Sequence, residues 1–504
     1  MIEREFKLAA EVGTVLPDLA DAAPGLTIRP KSVVQLDAVY YDTPTLALAR
    51  WGVTLRSRSG EAGPVWTLKL PVATADSEMS RNELMFDEPL GPVPSAVRQA
   101  VRAYARSQQL GPVVRLQTER TQFVVELDGQ PVAKVCDDIV VAQGAAEPVN
   151  VFREVEVELA NDASVPDVIN VIDVIIDRLR QAGCRDDEPA VPKALRALGP
   201  RAFDPPDVVV PRIGKRATVA PLVRHCLAKS VSQLIDQHAR VCVGDDPEAL
   251  HQFRVAARRL RSDLRTFAPL LDRDWTKWLR DELGWLGNEV GSGRDADVLA
   301  ERLRSQLARL PDTDAKTAGN LLQRLADTRS AAFEHVLATL AEERYVALLD
   351  ALVDAARQPH FTHNGSLADR RARPIVAALA RKPWRRLRRA VDDLEPDSPD
   401  SAFHAIRILS KRARYAAEAV AAMYGKPARR FAEALADVQE VLGSYQDTTV
   451  AEAWLRDAAK ALPSTRLVAG ELIAFERDDR VALRAKFWKV WNKTSRRRLR
   501  SWLD

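Results

Sequence analysis

Apolar and polar residues alternate in many short segments of the first 160 residues. These segments are Gln35–Tyr41, Val53–Arg58, Val65–Leu70, Arg81–Phe86, Thr121–Leu127, Val132–Ile139 and Arg153–Leu159. Because successive side chains of a β-strand point to opposite faces, each segment predicts a strand with one polar and one apolar face. Asp128-Gly129 separates two of these segments and predicts a hairpin turn. Helical periodicity appears here only at 94–108 and 165–182, so we predict an α+β domain built on an antiparallel, closed or nearly closed β-barrel.

The chain changes character at a proline-rich stretch. Gly199-Pro200 is followed closely by Pro205-Pro206 and Pro211, and proline is excluded from helix interiors and central strands. Beyond this stretch the residues are rich in Ala, Leu, Arg and Glu with helical periodicity, which predicts an all-α half. The predicted domains are a barrel at 1–198, a linker at 199–215 and a helical domain at 216–504.

The helical half contains an internal repeat. Residues 251–261 match residues 404–414 at a constant offset of 153, and Gly291-Ser292 matches Gly443-Ser444 at an offset of 152. This agreement indicates that a helical unit has been duplicated. The two predicted helical bundles span approximately 216–357 and 366–504.

Each copy of the repeat carries a basic stripe. At about 100° per residue, the stripe covers a sector of about 80° on one helix, beside an apolar sector that would face the core. Its residues are His251, Arg254, Arg258, Arg261 and Arg265 in the first copy, and His404, Arg407, Lys411 and Arg414 in the second. Like charges three and four residues apart are unfavourable unless an anion neutralises them. We therefore favour polyanion binding over a solvated basic face, although the two histidines would equally suit a hydrogen bond to a nearby carbonyl.

Composition and charge add a second contrast between the halves. The 504 residues have a net charge of +4, with 46% hydrophobic and 29% charged residues, which fits a globular protein of two or three domains. Residues 1–200 have 21 basic against 29 acidic residues, whereas 201–504 have 53 against 41. The four cysteines are scattered, which argues against a zinc site or a disulfide framework. With no signal peptide or membrane-length apolar run visible, we expect a cytoplasmic protein without a membrane partner.

The first strand combines acids and a base. Glu3, Glu5 and Lys7 alternate with apolar residues, so all three would project from one face. Carboxylates suit a divalent cation, and an ammonium group suits a phosphate. The alternative is an exposed strand face with mixed charges.

These features resemble a known pair of domains. The Glu3-x-Glu5-x-Lys7 pattern resembles the signature of the CYTH superfamily, which includes class IV adenylyl cyclases, thiamine triphosphatases and inorganic triphosphatases. The duplicated His-x-x-Arg helix resembles the CHAD domain, a conserved-histidine α-helical module often fused to CYTH. Together the two resemblances cover nearly the whole chain, in the order typical of such fusions.

The CYTH resemblance implies a triphosphate tunnel with specific residues on its inner wall. The implied phosphate-binding, catalytic residues are Lys7, Arg56, Arg58, Lys69 and Arg120, and the implied metal ligands are Glu3, Glu5, Glu154, Glu156 and Glu158. Asp137 or Asp138 would supply one more acid. Adjacent residues of a strand face opposite sides, so only one of the two can point inward, and we favour Asp137.

The resemblance also implies an activity. We expect hydrolysis of inorganic tripolyphosphate or a related triphosphate with Mg²⁺ or Mn²⁺, and polyphosphate binding by the helical domain. The alternatives are thiamine triphosphatase or adenylyl cyclase activity, or a non-enzymatic polyphosphate-binding protein with a degenerate barrel. Nucleic-acid binding through 385–389 and 496–498 is not favoured, because few aromatic residues interleave with these bases. No Walker loop occurs, which argues against a P-loop enzyme.

The Glu5→Ala substitution tests this interpretation of the first strand. It should abolish metal-dependent release of phosphate from tripolyphosphate, because a carboxylate ligand is lost. A phosphate-release assay with Mg²⁺ and Mn²⁺ measures the effect, and retained turnover would place the active site elsewhere.

Overall fold

The computed structural model describes most of the chain. The described residues are 5–20, 22–60, 63, 65–71, 81–144, 149–159, 166–186, 191–244, 246–311, 314–362 and 367–503. They form two compact units, Met1–Asp207 and Val208–Asp504. The first part of the proline-rich stretch packs on the first unit, since Arg50 donates a hydrogen bond of 2.9 Å to the carbonyl of Pro205 and Trp51 donates one of 2.9 Å to Asp207.

The first unit is an antiparallel α+β structure, as predicted. Its strands are β1 (Glu5–Ala10), β2 (Leu26–Asp42), β3 (Thr54–Ser59), β4 (Trp66–Pro71), β5 (Arg81–Phe86), β6 (Gly111–Leu127), β7 (Gln130–Gly144), β8 (Asn150–Leu159) and β9 (Arg185–Asp186). Its α-helices are α1 (Ala47–Arg50), α2 (Ser95–Ala105), α3 (Pro166–Gln181) and α4 (Lys193–Leu198). Within the described residues the strands pair in the order β5-β4-β3-β2-β6-β7-β8-β1-β9.

A two-residue turn joins the long strands β6 and β7, as the sequence predicts. Asp128 and Gly129 have φ values of 51° and 77°, the left-handed conformation that a tight hairpin requires at both positions. Leu127 pairs with Gln130 across the turn. The register then shifts by one residue between Val125 and Glu126, which indicates a β-bulge on β7.

The sheet is curled so that distant strands face each other. Arg56 on β3 and Glu156 on β8 are four strands apart in the sheet order, which corresponds to about 19 Å in a flat sheet. Their charges nevertheless interact. The polar faces of the two strands therefore line a common lumen.

Helices cover the outside of this barrel and close one end. Ile172, Ile175 and Leu179 of α3 pack on the outer face of β8, where Val155 and Val157 are fully buried. The short helix α4 instead packs on the inner face of the sheet: Ala194 and Ala197 contact the apolar end of the lumen. The residues there are Ala38, Tyr40, Val114, Leu116, Val140 and Ala142.

The second unit is helical and duplicated, as predicted. Its α-helices are α5 (Val219–Val243), α6 (Pro247–Phe267), α7 (Arg273–Glu289), α8 (Gly291–Leu307), α9 (Ala315–Ala341), α10 (Glu343–Arg357), α11 (Ala372–Asp392), α12 (Asp400–Tyr424), α13 (Lys426–Ala461), α14 (Arg466–Thr494) and α15 (Arg497–Arg500). Helices α5, α6 and α7 begin 153 residues before α11, α12 and α13. In the second copy α13 is continuous where the first copy has the two helices α7 and α8.

The two copies are related by an approximate two-fold axis. Thr218 and Arg371, which are equivalent positions 153 residues apart, pair with each other in an antiparallel bridge. The Val219 amide donates to the Arg370 carbonyl at 3.0 Å, and the Ala372 amide donates to the Ala217 carbonyl at 3.0 Å. If each residue is replaced by its equivalent in the other copy, one of these hydrogen bonds becomes the other. The two-fold axis therefore passes between the two segments.

Burial on the repeated helices follows the predicted apolar sectors. On α6, Phe253, Leu260 and Phe267 are at most 1% exposed. On α12, Ile406 and Val420 are at most 2% exposed. In the part of the chain that the structure describes, no helix is both long enough and apolar enough to span a bilayer.

Two glycines beside β3 provide a test of the barrel backbone. Gly52 and Gly60 both have positive φ, at 72° and 103°, but only Gly60 is crowded: an added Cβ would lie 2.0 Å from the Gln35 carbonyl oxygen. At Gly52 the nearest atom would be 3.8 Å away, in Pro71. Gly52→Ala should therefore cost only the roughly 1–2 kcal/mol of left-handed backbone, and Gly60→Ala clearly more. Hydrogen exchange of the barrel strands in urea would measure both, and equal losses would contradict the predicted crowding.

Candidate functional site

Three buried carboxyl groups meet inside the barrel. Asp138, Glu154 and Glu156 are at most 5% exposed. Arg120 on β6 donates to Asp138 at 2.7 and 2.6 Å and to Glu156 at 2.8 Å. Lys7 on β1 donates to Glu156 at 2.8 Å. Four neighbouring strands, β6, β7, β8 and β1, thus contribute to one ionic network.

Helix α4 adds a further cation to this network. The Lys193 ammonium pairs with Asp138 and lies 3.0 Å from Glu154 and 3.1 Å from Glu156. Burial in this position is tolerated because the three carboxyl groups raise the pKa of Lys193 and so keep it charged. Lys193 is the first residue of its helix, so the packing of α4 into the lumen delivers the ammonium group to the acids.

The two glutamates have opposite protonation preferences. Burial raises the pKa of Glu154 to about 7, and the nearby charge of Glu156 adds to this although Lys193 opposes it. Burial also disfavours charge on Glu156, but Lys193, Lys7 and Arg120 outweigh it and hold its pKa well below the usual range. Glu156 is therefore the fixed negative charge of the network, and Glu154 is a carboxyl group that readily carries a proton.

A second wall of the lumen is more basic. Arg56 on β3 hydrogen-bonds with Tyr40 on β2, and Lys69 on β4 pairs with Glu83 on β5. Burial acts to raise the pKa of Tyr40, but the charges of Arg56, Lys69 and Lys193 outweigh it and lower the pKa. The charge of Lys193 on α4 therefore reaches both walls, which places it between them.

The helical unit brings together basic residues of both repeats. Arg265 lies close enough to Arg261, to Arg280 and to Arg412 of the other copy for their charges to interact, and Arg280 also interacts with Arg261 and Arg412. Burial and these three neighbours lower the pKa of Arg265 to about 10. The Nε atoms of Arg261, Arg280 and Arg412 are buried and meet no hydrogen-bond acceptor among the described residues. We refer to these four arginines as the basic cluster.

The remaining stripe residues extend along the same helices. Residues 251, 254, 258, 407, 411 and 414 are half-buried, whereas His404 is exposed. His404 pairs through Nδ1 with Gln446 at 2.7 Å. Arg254 approaches Gly291, and at the equivalent position Arg407 approaches Gly443. A guanidinium group therefore lies over the matched glycine in each copy.

Known protein families match both units of the chain. The CYTH domain family matches residues 1–181, and the CHAD domain family matches residues 225–456. The chain is a CYTH–CHAD fusion. CYTH enzymes include triphosphatases and cyclases and are generally metal-dependent.

Related proteins leave the detailed activity open. Two proteins of Mycobacterium tuberculosis, from strains CDC 1551 and H37Rv and both named as uncharacterised, are 32% identical to this chain over 328 residues. The match covers 61% of this chain and 60% of each relative, so the chain spans less than two thirds of their length.

Solved structures with detectable similarity include proteins from two kingdoms. PptA from Streptomyces chartreusis is 25% identical with a TM-score of 0.46, covering 55% of this chain and all of that one. The CHAD domain from Ricinus communis is 25% identical with a TM-score of 0.47, covering 57% and 95%. A putative adenylate cyclase from Bacillus halodurans is 17% identical with a TM-score of 0.23, covering 38% and 93%.

The structure corrects one predicted position in the CYTH lumen. Asp137 pairs with Arg153 at 2.8 Å on the opposite face of β7, whereas Asp138 lies inside with Arg120. Counting back from the hairpin would place Arg120 opposite Asp137. The β-bulge shifts the register by one residue and places Asp138 there instead, so the preference for Asp137 was wrong.

The structure describes the other predicted lumen residues only in part. Glu3 and the side chain of Glu5 lie outside the described residues, although the Glu5 backbone pairs with Glu158. Glu158 lies 4.0 Å from Arg120 at the edge of the network. Arg58 is half-buried two residues beyond Arg56 on β3.

Three lumen residues were not predicted from the sequence. Tyr40 and Glu83 lie in predicted strands, but only Glu83 gives a signal, because it is a charged residue beside the apolar Leu84. Tyr40 shares its strand face with Leu36 and Ala38 and not with the polar Gln35 and Asp37. Lys193 gives no such signal, because its six-residue helix is too short for a periodic pattern. Only the packing of α4 into the barrel reveals its role.

The carboxyl groups fit a hard divalent cation chemically. Glu154 is 1% exposed and lies 3.0 Å from the Lys193 ammonium, and carboxylate oxygens are the ligands that Mg²⁺ and Mn²⁺ favour. The described acids alone provide no three-ligand metal cluster, however. The predicted site therefore needs Glu3 and Glu5 in addition to Glu154, Glu156 and Glu158.

Lys193→Met should destabilise the CYTH domain by about 3–5 kcal/mol, because it leaves buried carboxylates without their shared cation. The double variant Lys193→Met/Glu154→Gln should recover part of this loss, since one of the uncompensated carboxyl groups is removed. Arg29→Met, which breaks an exposed pair with Glu126, is the control and should cost less than about 1 kcal/mol. Hydrogen exchange of β6–β8 in urea gives all three values, and a loss for Lys193→Met no larger than the control would contradict the network.

Proposed function

We propose that the CYTH domain hydrolyses a linear triphosphate, inorganic tripolyphosphate being the expected substrate, with Mg²⁺ or Mn²⁺. The observation that supports this most is the lumen itself, in which Arg56 and Lys69 face the Lys7–Arg120–Glu156 network across a curled sheet. Cations for phosphate oxygens and carboxylates for metal ions thus line the two walls of one lumen.

The cations bind and orient the anion. A linear triphosphate carries several negative charges, and the barrel supplies Lys7, Arg56, Lys69, Arg120 and Lys193 within one charge-coupled region. Such fixed positive groups stabilise charge that develops on the transferred phosphoryl group, and they do so most strongly where water is excluded. Arg56 already sits in this position, fixed by its hydrogen bond with Tyr40.

The acids supply the metal side of the site. Glu154, Glu156 and Glu158, with Glu3 and Glu5, would hold the divalent ion, which polarises phosphoryl oxygens and lowers the pKa of bound water. The existing ion pairs keep these acids charge-compensated in the protein itself. Lys7 and Lys193 already lie beside the carboxyl groups, at a position where they would also contact phosphate oxygens.

The CHAD domain is proposed to bind inorganic polyphosphate at the basic cluster. Arg261, Arg265, Arg280 and Arg412 converge from both repeats, and the buried Nε atoms of three of them remain available as donors. Guanidinium groups bind phosphate through paired hydrogen bonds. A phosphate chain held by one domain is kept at a raised local concentration for the other domain of the same chain.

The Arg56→Ala variant tests the catalytic proposal. Wild-type protein should release phosphate from tripolyphosphate only with Mg²⁺ or Mn²⁺, and Arg56→Ala should lower kcat by about 10²–10³-fold through loss of one charge-stabilising group. Arg115→Ala is a matched control on β6, because this arginine is exposed and pairs with Asp37 outside the lumen. It should leave kcat unchanged.

A substrate panel separates the remaining alternatives. Thiamine triphosphate and ATP are assayed beside tripolyphosphate under the same metal conditions. Release of pyrophosphate from ATP would indicate a cyclase, and preference for thiamine triphosphate a thiamine triphosphatase. Absence of turnover on every substrate would leave the barrel as a binding domain.

A further inference from the structure

The two-fold axis of the CHAD domain relates two contacts of opposite character. Arg265 of α6 is near Arg412 of α12, and the two like charges repel. In the repeat, with its offset of 153, Arg265 corresponds to Glu418 and Arg412 corresponds to Arg259. Glu418 and Arg259 form a salt bridge. The same structural contact is therefore repulsive in one copy and attractive in the other.

The repulsive contact belongs to the basic cluster. Arg261, Arg265, Arg280 and Arg412 contribute four positive charges. Asp281, an acid whose charge acts on Arg261 and Arg280, is exposed and paired with Lys277. Like charges that are partly removed from water are costly, and burial and repulsion together lower the pKa of Arg265. Among the described residues, no acid forms a salt bridge with any of these four arginines.

The attractive contact lies in the equivalent site, which has its own counterions. Arg259 and Arg414 correspond to Arg412 and Arg261, and both donate hydrogen bonds to Glu418, Arg414 at 2.7 Å. The site surrounds a cavity of about 440 Å³. A second acid, Asp263, lines it where the basic cluster has Ala416. Along α7 and α13 the offset is 152, as at Gly291 and Gly443, so Ala432 takes the place of Arg280.

Glu418 contacts its two arginines in the same way as a bound anion would. A carboxylate between two guanidinium groups accepts the same charge-assisted hydrogen bonds as a phosphate group. We propose that Glu418 acts as a built-in anion that closes the second of two equivalent arginine sites, so that a phosphate chain binds only at the basic cluster. This inference rests on the proposed binding of polyphosphate by the CHAD domain.

The neighbouring acid supports this assignment. Burial, increased by the charge of Glu418, raises the pKa of Asp263 to about 8, although Arg259 and Lys229 oppose the shift. Asp263 is 2% exposed and carries little negative charge at neutral pH, so Glu418 is the acid that neutralises Arg259 and Arg414. The closed site thus excludes an anion by occupancy, because the Glu418 carboxylate already holds both guanidinium groups.

The Arg265→Glu variant transfers the closing carboxylate to the open site. The new carboxylate should pair with Arg261 and Arg412, raise the melting temperature of the phosphate-free protein above that of Arg265→Gln, and weaken tripolyphosphate binding by about tenfold more than Arg265→Gln does. Calorimetry on the full chain measures binding, and hydrogen exchange of α6 and α12 reports the local stability. The barrel is unchanged in both variants, so its contribution cancels.

Glu418→Gln is the converse experiment. Removing the built-in charge should add one tripolyphosphate site per chain, counted by calorimetry. Glu440→Gln on α13 is the matched control, since Glu440 is exposed and is not part of the cavity lining. It should leave the stoichiometry unchanged.

The outcomes separate this inference from the proposed function. If the wild-type CHAD helices gain no protection from tripolyphosphate, the proposed polyphosphate binding fails. If they do gain protection, but Arg265→Glu binds as tightly as Arg265→Gln, the built-in anion is wrong. An unchanged number of sites in folded Glu418→Gln would overturn it as well. Should Glu418→Gln fail to fold, the comparison at Arg265 still decides.

Discussion

Charge buried in the barrel has to be balanced within the barrel, and the architecture of the first domain follows from that requirement. Glu156 is held negative by Lys7, Lys193 and Arg120, which belong to three different elements. An uncompensated carboxylate in this position would cost several kcal/mol. The ionic network therefore does two things at once: it ties β1, β6 and α4 to β8, and it keeps strongly polar groups in a lumen where an anionic ligand can exchange partners with them.

The strands were predictable because one physical requirement governs them. A sheet with an apolar outer face and a polar inner face must alternate at every second residue, and Glu154 and Glu156 alternate with Val155 and Val157 in this way. The side chains of β7 that face the lumen were not predictable, because they depend on a bulge near Val132 that the hydrophobic pattern does not indicate. A one-residue shift in register exchanges the two faces of a strand, so it exchanged Asp137 and Asp138.

The role of Lys193 and the contacts between the repeats depend on tertiary packing, so the sequence alone did not predict them. Lys193 enters the lumen because Ala194 and Ala197 pack against the apolar end of the barrel, and this contact joins residues far apart in the chain. The duplicated helices were easier to recognise, since each long helix repeats its apolar sector with the same spacing. The sequence alone did not show that one arginine site has Glu418 as a counterion where the equivalent site has Arg265. That difference arises from the Arg259–Glu418 and Arg265–Arg412 contacts, each of which joins the two repeats.

The short bridge between Thr218 and Arg371 has a consequence for how the helical domain is made. Its two hydrogen bonds join segments separated by about 150 residues, so they are among the most non-local contacts of the fold. At ribosomal rates of about 5–20 residues per second, the first copy waits many seconds for its partner segment. During that interval the first bundle has its local helices but lacks its symmetric neighbour, and its inter-repeat surface is exposed. Folding of this domain is therefore coupled to the order in which its copies are synthesised.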